Sequence, residues 1–155
     1  MIDRIKAEEA YRKVQEAVKQ GARILTGGTL AETMFVPTIL TDTTPAMRVN
    51  KEDVFAPVIS LIPYDDFPEA IRIANAGEYG LQVGIFTQNI NRAMQAFAEM
   101  DVGGVQVNDI PTFRVDQMPY GGAKGSGLGR EGPRYAIEEM SEVRLMVINR
   151  NGGVE

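Results

Sequence analysis

The sequence predicts an α/β fold, an open and largely parallel sheet flanked by helices, and three observations carry that prediction. Helix-type and strand-type patterns alternate between residues 56 and 108. Residues 56–63 form a continuous apolar run of strand length, as in a strand covered on both faces. The chain has 155 residues, 44% apolar and 24% charged, the balance of a globular domain. At that length folding buries roughly 70% of the unfolded surface, enough for one sizeable core.

Residues 3–19 read as an amphipathic helix. Ile2, Ile5, Tyr11, Val14 and Val18 recur at helical spacings, and Glu8, Glu9, Arg12, Lys13 and Lys19 fall largely on the other side. Gly21 supplies the stop. Strand-like runs at 22–25 and 35–40 follow, with Gly27-Gly28 as the turn signal, and then a polar connection over 41–50. After the 56–63 run, Asp66 and Glu69 stand at capping-box spacing and open a helix carrying Ile71, Ile73 and Ala74. Next come a strand over 82–87, a helix over 90–100 and a strand over 104–108. Asn89 caps that helix, and Ile90, Ala93, Met94 and Phe97 form its expected buried face. Residues 109–135 are rich in glycine, hold three prolines and end in a helix start at Pro133. A stretch of that length and composition in a compact domain marks a functional loop. A terminal pairing strand is expected over 143–148 and a loose tail over 151–155, with 1–150 as one domain.

Composition excludes several functions. Sixteen Lys+Arg against twenty-one Asp+Glu give a net charge of −5, the wrong sign for a nucleic-acid or acidic-membrane binder. No apolar run approaches the length of a membrane span, and the N-terminus is not a signal peptide, so a cytoplasmic address is expected. The chain has no Cys and no His. Thiol nucleophiles, Ser-His-Asp and HExxH chemistry and cysteine–zinc sites are thereby removed, and no metal site is expected. Catalysis must rest on carboxylates, Lys/Arg, Tyr or a partner segment.

GLGREG at 127–132 satisfies the dinucleotide pattern G-x-G-x-x-G literally. Its context does not, because MPYGGAKGS cannot be the buried strand that must precede it. GGAKGSG is not a phosphate-binding P-loop either, since the Lys stands on the wrong side of the pattern. The glycines instead allow close backbone approach beside a cavity or a neighbouring chain.

PYGGAKGSGLGRE at 119–131 resembles the C-terminal signature of the NAD(P)-dependent aldehyde dehydrogenase family. EDVFAPV at 52–58, FVPTIL at 35–40, ANAGEYGLQVGIFT at 74–87 and GGVQVND at 103–109 resemble four further family motifs, in family order. The resemblance covers the family's C-terminal third. It implies part of an aldehyde dehydrogenase catalytic domain with an oligomerisation strand. A complete member carries a Rossmann-type domain, a nucleophilic Cys and a general-base Glu ahead of these segments. The implied function is therefore the C-terminal portion of an enzyme that oxidises an aldehyde to a carboxylic acid with NAD or NADP. Alone, the chain is expected to be inactive and to hold no cofactor. The alternative is a free-standing non-catalytic remnant or oligomerisation module of that fold.

The resemblance also implies roles. The acidic residue and the Phe of the EDVF motif, Asp53 and Phe55, match positions that bind the nicotinamide ribose and pack on the nicotinamide. Asp is one methylene shorter than the usual Glu. Ala56 stands for a common Gly, so positive φ is not needed there. Glu131 matches a proton-relay position, though as a surface carboxylate it would pair with Arg130 or Arg134. Tyr120 matches an aromatic of the substrate tunnel, with Phe113 and Arg114 on the loop before it. Arg114 beside an aldehyde pocket would favour a substrate ending in carboxylate, phosphate or sulfonate, or else would pair with Asp116 or stay solvated. Hydroxyaldehydes such as lactaldehyde stay open. The last strand, with the 90–100 helix and the 104–108 strand, is expected at a homo-oligomer interface.

Overall fold

The computed structural model describes residues 1–149. The tail expected over 151–155 lies outside the described residues. In chain order the elements are α1 (Arg4–Lys19), β1 (Arg23–Thr26), β2 (Leu30–Ala31), β3 (Met34–Phe35), β4 (Thr38–Thr41), α2 (Arg48–Lys51) and β5 (Val58–Ser60). They continue with α3 (Phe67–Asn75), β6 (Tyr79–Gly80), β7 (Gln82–Ile85), α4 (Ile90–Glu99), β8 (Gly104–Val107), β9 (Ala123–Lys124) and α5 (Pro133–Glu139). The α/β class is as expected, and the strand pairing is mixed: β4–β5 and β7–β8 are parallel, the other pairs antiparallel. The chain forms two compact units.

The first unit comprises Met1–Glu78 and Asn89–Asp101. Asp3 caps α1, its carboxylate accepting from the Lys6 amide at 2.7 Å. The buried stripe of α1 is Ala7, Ala10, Lys13, Val14 and Ala17, whereas Ile2 and Ile5 are exposed. Of the expected apolar face Val14 is buried, whereas Lys13, expected on the polar side, lies on the buried stripe. Small residues at spacings of three and four let the helix backbone approach its neighbours closely. Val14 and Ala17 join Phe35, Leu40, Met47 and Val49 in the core.

Strand β4 lies between β1, antiparallel, and β5, parallel. The strand expected over 35–40 is two elements, because Pro37 offers no backbone N–H to a ladder. Phe35 instead closes the β2–β3 hairpin. The Thr38 hydroxyl bridges the break, accepting from the Gly28 amide at 2.8 Å and donating to the Val36 carbonyl at 2.7 Å. The polar connection contains α2 and buries Met47 and Val49. Strand β5 is not covered on both faces within the chain: Ile59 is 60% exposed.

Asp66 caps α3 by accepting from the Glu69 amide at 2.8 Å, and Glu69 accepts in return from Asp65, one residue earlier than a capping box requires. Helix α4 buries Ala93 and Ala96, while Ile90, Met94 and Phe97 face outward. The expected buried face of α4 is thus only partly used inside this chain. Asn75 ties the ends of α3 and α4 together, donating to the Glu99 carbonyl at 2.7 Å and accepting from the Asp101 amide at 2.9 Å.

The second unit comprises Tyr79–Gln88 and the chain from Val102 onward. Here β7 pairs with β8 and β6 with β9. The Ser126 hydroxyl accepts from the Gly80 amide at 2.8 Å, which pins the glycine-rich loop to β6. A Cβ at Gly103 would collide with the Gly121 carbonyl, so the close approach of these two segments requires glycine. Residues 143–148, expected as a strand, take no ladder partner among the described residues, and Val143, Leu145 and Val147 are exposed. No helix among the described residues is long and apolar enough to cross a membrane.

Candidate functional site

The first unit presents Asp53 and Phe55 on the turn that leaves α2. Lys13 of α1, whose side chain is only 6% exposed, donates from Nζ to the Asp53 carbonyl at 2.9 Å and pairs with Glu52 at 3.1 Å. Arg48 grips Glu52 through Nε and Nη2 at 2.7 and 3.1 Å and reaches Glu16 at 3.1 Å. The Arg48 guanidinium, and then the Lys13 ammonium, hold the Glu52 carboxyl down to about 2. Phe55 has φ +43° and is 84% exposed. Ala56 is not in the left-handed region, as expected of an Ala at a position that does not need positive φ. The Asp53 carboxylate is exposed and takes no hydrogen bond among the described residues. Beside it lies a cleft of about 330 Å³ whose walls include Ile2, Lys6, Lys13 and Phe55.

The second unit brings Arg114, Tyr120 and Glu131 together. Tyr120 and Glu131 form an antiparallel bridge, with the Tyr120 amide donating to the Glu131 carbonyl at 3.1 Å and the reverse bond at 2.6 Å. Arg114 donates from Nη2 to Glu131 Oε2 at 2.8 Å, and its Cζ lies 4.3 Å from the Tyr120 ring centroid. The bridge places the two side chains as cross-strand neighbours, so the guanidinium spans both. Arg114 therefore pairs with Glu131 and not with Asp116. Nor does Glu131 take either arginine near it in sequence: Arg130 donates to the Gly122 and Gly129 carbonyls, and Arg134 pairs with Glu138. Phe113 is half-exposed on the same loop. A cavity of about 370 Å³ is lined by Leu81, Tyr120, Ser126, Arg130 and Glu131 among others.

Sequence reasoning missed Lys13, Glu52 and Arg130. Lys13 sits three residues after Ala10 and next to Val14, on the alanine stripe, and that register was the available signal. Arg130 stands inside the loop signature, but nothing in its spacing announces that it binds carbonyls of its own loop. Among the described residues no group of three or more His, Cys, Asp or Glu could hold a metal ion.

Comparison with known proteins supplies the frame for both surfaces. The sequence profile of the aldehyde dehydrogenase family matches residues 1–146. The chain is 47% identical over 149 residues to 3-sulfolactaldehyde dehydrogenase from Priestia aryabhattai, covering 96% of this chain and 31% of that protein. It is 43% identical to lactaldehyde dehydrogenase from Methanococcus aeolicus, covering 92% of this chain and 30% of the relative. Among solved structures, aldehyde dehydrogenase 21 from Physcomitrella patens, in complex with the reaction product succinate, superposes with a TM-score of 0.95 at 43% identity, over 99% of this chain and 32% of that one. Glyceraldehyde-3-phosphate dehydrogenase GapN from Methanocaldococcus jannaschii, complexed with NADP, gives 0.87 at 43% identity, over 92% and 31%. The chain thus spans about a third of the length of these relatives. Across that span it belongs to the aldehyde dehydrogenase family.

Proposed function

We propose that this chain acts as the C-terminal part of the catalytic domain of an NAD(P)-dependent aldehyde dehydrogenase, which oxidises a short aldehyde bearing a terminal anion. The carrying observation is the family match over 1–146 together with a TM-score of 0.95 to an enzyme of that family.

The residues present suit a nicotinamide cofactor by their chemistry. An exposed carboxylate with no hydrogen-bond partner among the described residues, Asp53, can accept from two vicinal ribose hydroxyls, and the exposed Phe55 offers a ring face to a planar heterocycle. Bound NAD or NADP would supply the hydride acceptor. What this chain contributes is orientation of the cofactor through Asp53 and Phe55 and a lining for the aldehyde from Phe113 and Tyr120. Arg114 supports the choice of substrate class. Glu131 and the Tyr120 ring fix the plane of its guanidinium, and its Nε and Nη1 have no partner among the described residues. A carboxylate or sulfonate can be gripped along that edge. Glu131 keeps Oε1 clear of Arg114, which leaves one carboxylate oxygen for a proton relay.

The nucleophilic thiol and the general base must come from elsewhere, so the chain alone does not turn over aldehydes. The enzyme is read as a cytoplasmic homo-oligomer, residues 143–148 pairing with a neighbouring subunit's strand.

A chimera tests this reading. Residues 1–146 of this chain replace the corresponding third of the Priestia aryabhattai 3-sulfolactaldehyde dehydrogenase, and NAD(P)H formation is followed. Turnover of 3-sulfolactaldehyde is expected. A folded chimera with no activity towards it, towards succinate semialdehyde or towards lactaldehyde would favour the non-catalytic remnant.

A further inference from the structure

We infer that Lys13 is a positioning residue whose buried ammonium sets the turn that displays Phe55. The inference rests on the reading of Asp53 and Phe55 as a cofactor-facing surface, and it gives the construction of that surface to a residue of α1.

A buried ammonium is costly unless it is paired and hydrogen-bonded. Lys13 is the one charged residue on the buried stripe of α1, among Ala10, Val14 and Ala17. Its Nζ spends one donor on the Asp53 carbonyl at 2.9 Å and meets Glu52 at 3.1 Å, with Glu9 farther off at 4.0 Å. Arg48 in turn fixes Glu52 and is itself tied to Glu16 of α1. The ammonium is therefore held in place by two helices. It holds a backbone carbonyl two residues before Phe55.

Phe55 needs such a hold. A non-glycine residue at φ +43° is strained and persists only where its surroundings over-determine it. Beyond Phe55 the chain is fixed by the Thr38 amide on the Pro57 carbonyl at 2.8 Å and the Val58 amide on the Ala56 carbonyl at 2.7 Å. Val54 packs against the core. Before Phe55 the carbonyl anchor is the Lys13 bond. Clamped at both ends, the turn points its ring outward, where burial would otherwise draw it in. A ring so presented is preorganised for a flat ligand.

The test uses the 155-residue chain with Lys13→Met, which keeps the stem and removes the charge, and Lys13→Arg, which keeps a cation. Scalar couplings that report φ at Phe55, and hydrogen exchange at the Val58 amide, are the readouts. Amides of β1 and β4 report the rest of the unit. In Lys13→Met, Phe55 should leave the left-handed region and Val58 should exchange roughly tenfold faster, with β1 and β4 unchanged. Lys13→Arg should recover much of the loss. Unchanged Phe55 couplings in Lys13→Met would overturn the inference. Should that variant not fold, the wild-type chain decides: a through-hydrogen-bond coupling between Lys13 Nζ and the Asp53 carbonyl carbon is expected, and its absence overturns the assignment. In the chimera, Lys13→Met should raise the cofactor KM and leave the aldehyde KM unchanged. If the Phe55 couplings move and the cofactor KM does not, the turn is positioned by Lys13 but the cofactor reading of Phe55 falls.

Discussion

On the proposed function, Arg114 is the side chain that selects the substrate. Its guanidinium is oriented twice, by Glu131 Oε2 at 2.8 Å and by the Tyr120 ring at 4.3 Å. Two constraints on one planar group leave its free edge aimed in a defined direction. In the chimera, Arg114→Leu should raise the KM for 3-sulfolactaldehyde and succinate semialdehyde by roughly tenfold to a hundredfold, the range of a lost charge-assisted hydrogen bond. The KM for neutral lactaldehyde should barely change. Equal losses for charged and neutral aldehydes would mean that Arg114 supports the loop and not the substrate. The residue itself was legible in the sequence, but its partner was not. Asp116 is two positions away and Glu131 seventeen, and only the Tyr120–Glu131 bridge brings the latter into reach.

At the scale of elements, ion pairs join α1 to α2 alongside the packing of Val14 and Ala17 with Val49. Glu52 is held well below its ordinary value of 4.5, at about 2, by Arg48 first and Lys13 second. A depressed carboxyl stabilises the fold above its unfolded value and loses that contribution as pH falls towards its folded value. The joint should therefore weaken between about pH 4.5 and about pH 2. Glu52→Gln should be less stable than wild type at neutral pH, and the gap in urea midpoint should close across that window. Added salt should narrow it at neutral pH, because the pair is exposed. A gap independent of pH would show that packing and not charge joins the helices.

Elements were the most readable level of the sequence. The caps at Asp66 and Asn89, the stop at Gly21 and the start at Pro133 all stand where residue chemistry put them. Faces were less readable. Hydrophobicity alone put Ile5 and Phe97 inside, whereas α1 and α4 turn their alanines inward and leave those side chains exposed. Periodicity identifies an apolar face but not which partner covers it, and nothing in a 3.6-residue period distinguishes a partner in this chain from one outside it.

For the whole molecule, exposed apolar side chains are the dominant feature. Ile90, Met94 and Phe97 make an uncovered stripe on α4, and Val143, Leu145 and Val147 lie open near the C-terminus. In each unit, exposed apolar surface of this kind is what a covering segment would bury. The relatives are about three times the length of this chain, and on the reading proposed above the remaining two-thirds supply that cover along with the thiol. The most direct test is complementation in trans. The 155-residue chain is mixed with the separately produced N-terminal two-thirds of the Priestia aryabhattai enzyme, and NAD(P)H formation from 3-sulfolactaldehyde is recorded for each piece and for the mixture. Turnover is expected in the mixture only, lost when the partner's nucleophilic cysteine is replaced. Turnover by the chain alone that survives repurification would contradict that expectation.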